Sequence, residues 1–286
     1  MSIQDFVPQI WSASILRGFE KASVFTSCLS REYAGEVRNQ GDMVKVPKIN
    51  PVAVRDYVKG QPISYDEVSG STLDIPIDQC KYWALRCEDI DVLQAAPDFL
   101  DGATKNASYA LRDTIDMYSA AVLTDGAGTK LYTSDPYPIG IPTTTSADDV
   151  TINLFTTLAM ELDQLNVPRS GRFCVIPPYL VKGLSLAIIK AGMPNEKPIA
   201  EGFITKIAGF DIYMSNNLVM DSDDNATIIA GIRESGTHIV QISKTESLRD
   251  QNQFGDLVRG LALYTTAVLL PEGIVTALVQ NPKNNT

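Results

Sequence analysis

"GFITKIAGFDIYMSNNL" (202–218) and "ISKTESLRDQNQFGDLVRGLALYTTAVLLP" (242–271) are the stretches whose reading decides the fold. Both hold β-rich apolar runs broken by turn residues. Upstream, "VPRSGRFCVIPPYLVKGL" (167–184) supplies an apolar strand at 172–176, stopped by Pro177 and Pro178. A short helix is predicted from Tyr179 to Lys190, ended by Gly192. Further strands are predicted at 203–207, 210–214, 226–232, 237–243, 261–270 and 274–280.

The periodicity changes toward the N-terminus. Leu100, Ala103, Ala107, Leu111, Ile115, Tyr118 and Val122 fall three or four apart, which predicts one long helix between Pro97 and Asp125. Asp98 and Asp101 suit its positive end, and Gly126 and Gly128 stop it. Residues 129–150, with Pro136, Pro138 and Pro142, read as a loop. Thr151 then reads as the N-cap of an amphipathic helix carrying Leu154, Phe155, Leu158, Leu162 and Leu165. Ile10, Ile15, Leu16 and Phe19 give the first 40 residues a helical portion. Helices and strands without regular β-α alternation predict an α+β fold.

Residues 41–58 and 71–85 alternate apolar and polar, most cleanly at Leu73, Ile75 and Ile77. They predict a hairpin about 45 Å long at roughly 3.3 Å per residue, joined by the polar link 59–70. Pro47, Pro51 and Pro76 confine it to edges. A two-stranded ribbon is marginal in water, so its apolar face needs cover from elsewhere.

The chain has 286 residues, 44% hydrophobic and 20% charged, enough for a sizeable core and too few charges for long disorder. Its net charge of -10 argues against wrapping nucleic acid. The charge is uneven: residues 1–60 hold eight basic and six acidic side chains, the remainder sixteen and twenty-eight. Cys28, Cys80, Cys87 and Cys174 form no CxxC pair, and reduced thiols are expected. No apolar run reaches membrane-spanning length, and "MSIQDFVPQIW" has no secretory pattern, so a soluble protein without a membrane role is expected.

The order arm, hairpin, long helix, compact α+β unit and returning strands resembles the major capsid protein family of tailed bacteriophages. That fold is shared with encapsulins and the floor of herpesvirus shells. The resemblance spans roughly residues 10–280. It is carried by Gly41-Asp42, "IDQCKYWALRCEDIDVLQA" (77–95), "VPRSGRFCVIPP" (167–178), "IAGFDIYMSNNL" (207–218) and "ESLRDQNQFGDLVRGLALYTTAVLLPEGI" (246–274). It implies an N-terminal arm (1–40), an E-loop hairpin (41–86), and a peripheral domain with a spine helix (87–149). An axial domain (150–245) and closing peripheral strands (246–286) complete it.

The function implied is that of a structural head protein. It would self-assemble into hexamers and pentamers of an icosahedral shell around double-stranded DNA, which it touches weakly and non-specifically. The shell would assemble in the host cytoplasm and remain in the virion. Because the chain opens almost directly on the arm, a separate scaffolding protein is expected, with a portal and cement proteins as further partners. Candidate intersubunit contacts are Trp11, Arg17 and Phe19 in the arm, and Lys59, Gln61, Tyr65, Asp66 and Glu67 at the hairpin tip. Arg249, Asp250 and Gln253 in a peripheral turn complete the set. Some relatives crosslink Lys to Asn between subunits. Lys59 and Asn281 are available, but a loop lysine is ordinarily just solvated and no crosslink is expected.

No catalytic pattern competes strongly. His238, the only histidine, lies in an alternating strand without a nucleophile motif. "DSDDNA" (221–226) lacks the Gly and Glu of a calcium loop and reads as a turn; "DGAGTK" (125–130) follows a helix and reads as its stop. No cofactor, metal site or enzymatic activity is expected. The alternative readings are an encapsulin-like cage and a soluble α+β enzyme or ligand-binding domain.

Overall fold

The computed structural model describes residues 24–32, 43–49, 54–56, 59–60, 70–88, 99–138, 147–181, 184, 203–250 and 254–282. Among them, fourteen elements run in the order α1 (Val24–Cys28), β1 (Met43–Ile49), β2 (Gly70–Pro76), β3 (Gln79–Glu88), α2 (Phe99–Asp125), β4 (Thr129–Leu131) and α3 (Ala147–Gln164). There follow β5 (Arg172–Ile176), β6 (Phe203–Ile207), β7 (Phe210–Met214), β8 (Ala226–Ile232), β9 (Gly236–Arg249), β10 (Gly255–Val268) and β11 (Ile274–Val279). Short 3-10 turns at Arg233–Ser235 and Pro271–Gly273 connect β8 to β9 and β10 to β11. The fold is α+β. Among the described residues, no helix is long and apolar enough to cross a membrane.

The six-stranded sheet, ordered β4-β11-β8-β5-β7-β6, is the centre of the molecule. β5 lies between a parallel β7 and an antiparallel β8, and every residue of its "RFCVI" run is buried. After Arg172, the apolar run Phe173–Ile176 is what a strand covered on both faces requires. On one face, Cys174 and Ile176 pack with Leu154, Phe155, Leu158 and Leu162 of α3. On the other, Phe173 and Val175 meet Ala120 and Leu123 of α2 and Phe25, Cys28 and Leu29 of α1 and the residue after it. β6 and β7 join through Ala208 and Gly209, both at positive φ (49° and 87°). That pair of conformations matches a two-residue hairpin turn to the strand twist.

The second sheet is the antiparallel β3-β10-β9, with α2 against one face. Leu111 and Ile115 of the helix pack on Ala262 and Tyr264, with Trp83 and Tyr118 alongside. At about 1.5 Å per residue, the 27 residues of α2 make a rod of roughly 40 Å. It reaches from this sheet to the six-stranded one.

Two expectations need correction. Thr151 does not cap α3: the helix begins at Ala147, and Thr151 is a buried residue inside it. An isolated Thr before an apolar run resembles an N-cap, and a longer helix hides that signature. The strand expected at 71–85 breaks at Ile77-Asp78. β2 pairs only with β1, whereas β3 belongs to the β9-β10 sheet. Alternation along a strand does not encode which sheet it joins. The helical portion expected in the first 23 residues, and most of the helix 179–190, lie outside the described residues.

Candidate assembly surface

β1 and β2 form a two-stranded ribbon of seven pairs, Met43↔Pro76 to Ile49↔Gly70, hydrogen-bonded to no other described strand. The seven described residues of each strand span about 23 Å. Alternation puts Val44, Val46, Leu73 and Ile75 on one face. Its root is covered by the same chain: Val44 and Ile75 are buried with Ile77, Ile239 and Leu263. The expectation that this face must be covered from outside therefore fails at the root. Further out, Leu73 is 39% exposed and the next pair on that face is Lys48↔Ser71.

Between the outer ribbon and the body runs a groove of about 480 Å³. Val46 and Leu73 form one wall, Val268 to Pro271 the other, and Glu32 and Glu234 lie at its rim. A second open area covers the face of β3-β10-β9 turned away from α2. Tyr82, 79% exposed, stands there beside Ala84 and Leu261, across from an ion pair between Arg259 and Glu246. Leu248, 47% exposed and paired with Leu257, extends the apolar area. A monomeric protein seldom leaves such large side chains grouped in water.

The sequence-predicted contacts distribute unevenly. Lys59 is exposed in a turn with Gly60 at φ 91°. Arg249 pairs with Asp256 at 3.2 Å, and Asp250 lies 3.5 Å from Arg86, so both are engaged within the chain. Trp11, Arg17, Phe19, Gln61, Tyr65, Asp66, Glu67 and Gln253 lie outside the described residues. Asn281 holds the 221–225 turn: its N–H donates to Asn225 Oδ1 and its Nδ2 to the carbonyl of Asp224. Asp221 organises that turn, accepting from the N–H groups of Asp223 and Asn225 and from Asn225 Nδ2, all at 2.9 Å. Burial tends to raise its carboxyl pKa, but these donors hold it below the usual range.

The polar fastening of the long helix was not visible in the sequence. Asp113, Asp116 and Ser119, three apart on α2, each tie down a different segment. Asn217 Nδ2 donates to Asp113 Oδ1 at 2.7 Å, Val24 N–H to Asp116 Oδ2 at 3.2 Å, and Ser119 Oγ meets Thr266 Oγ1 at 2.8 Å. Polar residues at helical spacing ordinarily mark a solvated face, so only the burial of Asp116 and Ser119 and the half-burial of Asp113 distinguish them. Arg172 is likewise a buried fastener. Its guanidinium donates to the carbonyls of Val167 and Pro168 and to Asp163 Oδ1. Hydrogen bonds from Arg169 and then Arg172 hold the Asp163 carboxyl below its ordinary range. Among the described residues, no three His, Cys, Asp or Glu side chains come together as a metal site.

No protein-family model matches the chain, and no curated protein matches its sequence. Solved structures do. A structure from Mycobacterium phage Che8 is 26% identical, with a TM-score of 0.69 over 89% of this chain and 90% of that one. The capsid of cyanophage P-SCSP1u is 16% identical, with a TM-score of 0.70 over 91% and 89%. The holo-SrpI encapsulin complex of Synechococcus elongatus is 11% identical, with a TM-score of 0.57 over 84% and 82%.

Proposed function

Because this chain has the major capsid fold of tailed phages, which encapsulins share, we propose that it is the subunit of an icosahedral phage head, acting as a structural protein and not as an enzyme. The observation that carries the proposal is the ribbon. Its apolar face is seated on its own body at Val44 and Ile75, with Val46 packed against that seat, and leaves it at Leu73, on the wall of an open groove. A shell is a setting in which such a surface is covered on every subunit. Many copies, each contributing modest contacts, then hold together through multivalency.

On this reading the chain builds hexamers and pentamers in the host cytoplasm and ends in the virion around double-stranded DNA. A scaffolding protein, a portal and cement proteins are its partners. Lys59 at the ribbon turn and the exposed β3-β10-β9 face are candidate intersubunit contacts. The encapsulin-like cage is the second reading, supported by the SrpI likeness; the Che8 and P-SCSP1u structures superpose more closely than SrpI does, which favours the head.

Negative-stain electron microscopy of the purified chain tests the proposal. Closed shells, rings or tubes are expected. A uniform monomer or dimer at high concentration, with or without the candidate scaffold, would refute it. Shells that load a co-expressed enzyme through a short peptide would transfer the assignment to the cage.

A further inference from the structure

His238 is buried at the crossing point of three elements. Its Nδ1 lies 2.8 Å from Thr266 Oγ1 of β10 and 3.4 Å from Ser119 Oγ of α2, and the two hydroxyls are 2.8 Å apart. Its Nε2 is buried without a hydrogen-bond partner. An orphaned N–H in dry protein costs more than an orphaned lone pair. The stable neutral form therefore carries its proton on Nδ1, donates it to Thr266, and leaves Nε2 bare.

The backbone around the ring holds two other parts of the molecule. His238 N–H and Thr237 Oγ1 both donate to the carbonyl of Ser30, whose own N–H points back at the carbonyls of Gly236 and Arg233. The next residue, Ile239, is the seat of the ribbon root beside Val44, Ile75 and Ile77. We propose that His238 is an acid latch: a proton taken up by its ring unfastens the 29–32 segment and the ribbon root from β9 together.

The physical reason is local. Protonation creates a second N–H, on Nε2, where no acceptor exists, and adds a charge to a pocket of hydroxyls. The surrounding groups do not compensate. α2 contributes Ser119 and Tyr118, and one turn away Asp116, whose carboxylate already accepts from Val24 N–H. β10 offers Thr265, Thr266 and the Tyr264 phenol; the ribbon root brings apolar groups and the Asp78 carboxylate, which acts on Tyr118 and not on the ring itself. Arg31, next to the tethered Ser30, is cationic and opposes the added charge. Burial first, and Arg31 second, lower the ring from its ordinary 6.5 to about 4. The open form binds the proton that the closed form refuses. The latch is therefore fully closed above about pH 6.5, loosens as pH falls, and stops changing below about 4.

Because the chain contains one histidine, labelling it with 13C and 15N gives a single imidazole signal. Hydrogen exchange of peptides covering 24–32 and 236–242, corrected for intrinsic rate, is measured on the full chain beside a β5 control peptide. Both readouts report on one subunit, inside a shell or outside it, so they do not depend on assembly. A neutral, Nδ1-protonated ring at pH 5 is expected. The opening constant of the two peptides should rise about tenfold per pH unit between roughly 6.5 and 4, with β5 lagging, and His238→Asn should abolish that slope. A ring that titrates near 6.5 while the segment stays protected would overturn the latch. So would a slope that is absent, shared equally by β5, or unchanged in His238→Asn. If that variant does not fold, the ring titration and the wild-type exchange profile decide alone.

Discussion

The indole of Trp83 occupies the space that a side chain on Gly260 would need. The two residues are directly paired across β3 and β10, and a Cβ on Gly260 would lie 2.5 Å from Trp83 Nε1 and 2.6 Å from Cε2. The indole packs there with Leu111 and Ile115 of α2, so the contact joins sheet and helix. Gly260→Ala should force the ring aside and cost about 1–3 kcal/mol. Urea denaturation followed by tryptophan fluorescence would measure it, and an unchanged midpoint would disprove the contact.

Arg172→Met should destabilise the region around the six-stranded sheet by about 3 kcal/mol. The loss leaves the carbonyls of Val167 and Pro168 without their donor in a buried corner. Asp163 contributes only while ionised. Its lowered pKa means that this contribution is present above the ordinary carboxylate range and disappears as pH falls through the lowered value. The gap between the thermal melts of wild type and variant should therefore narrow in strong acid, while the part due to the two carbonyls persists.

Thiol reactivity should separate three cysteines. Cys80 is exposed, whereas Cys28 and Cys174 are buried, and burial raises both of their pKa values. Reaction needs thiolate and access. Peptide-resolved mass spectrometry after native alkylation should find Cys80 modified and Cys28 and Cys174 protected until the chain unfolds.

Leu73→Asp should leave the subunit folded and weaken assembly. Leu73 stands on the groove wall beyond the seated part of the ribbon, so a charge there costs little in the isolated chain. Each intersubunit contact should weaken by about 1 kcal/mol or more, multiplied over every copy in a shell. Microscopy should show few closed shells at concentrations where wild type assembles, with a melting temperature within a few degrees of wild type. Normal shells would exclude the groove from the interface.

The local pattern was legible where one residue type controls one conformation. Strands β5, β6, β7 and β8 fall where apolar runs and turn residues put them, and Ala208-Gly209 makes the turn between β6 and β7. The long helix begins two residues after Pro97 and ends at Asp125, before Gly126. "DSDDNA" is the turn that its composition predicts, held by Asp221. The ribbon was half legible: alternation named its apolar residues, but not the break at Ile77-Asp78 or the seat on Ile239 and Leu263.

By itself the sequence determined the α+β class, the spine helix and the apolar faces, because these follow from spacing between near neighbours. The tertiary structure alone decided that β3 leaves the ribbon for β10, that Asp113, Asp116 and Ser119 turn inward, and that the only histidine is enclosed with an unpaired nitrogen. Those outcomes depend on hydrogen bonds and contacts between residues 92 to 185 positions apart. No local periodicity carries that information, since a strand's alternation is the same whichever partner lies beside it.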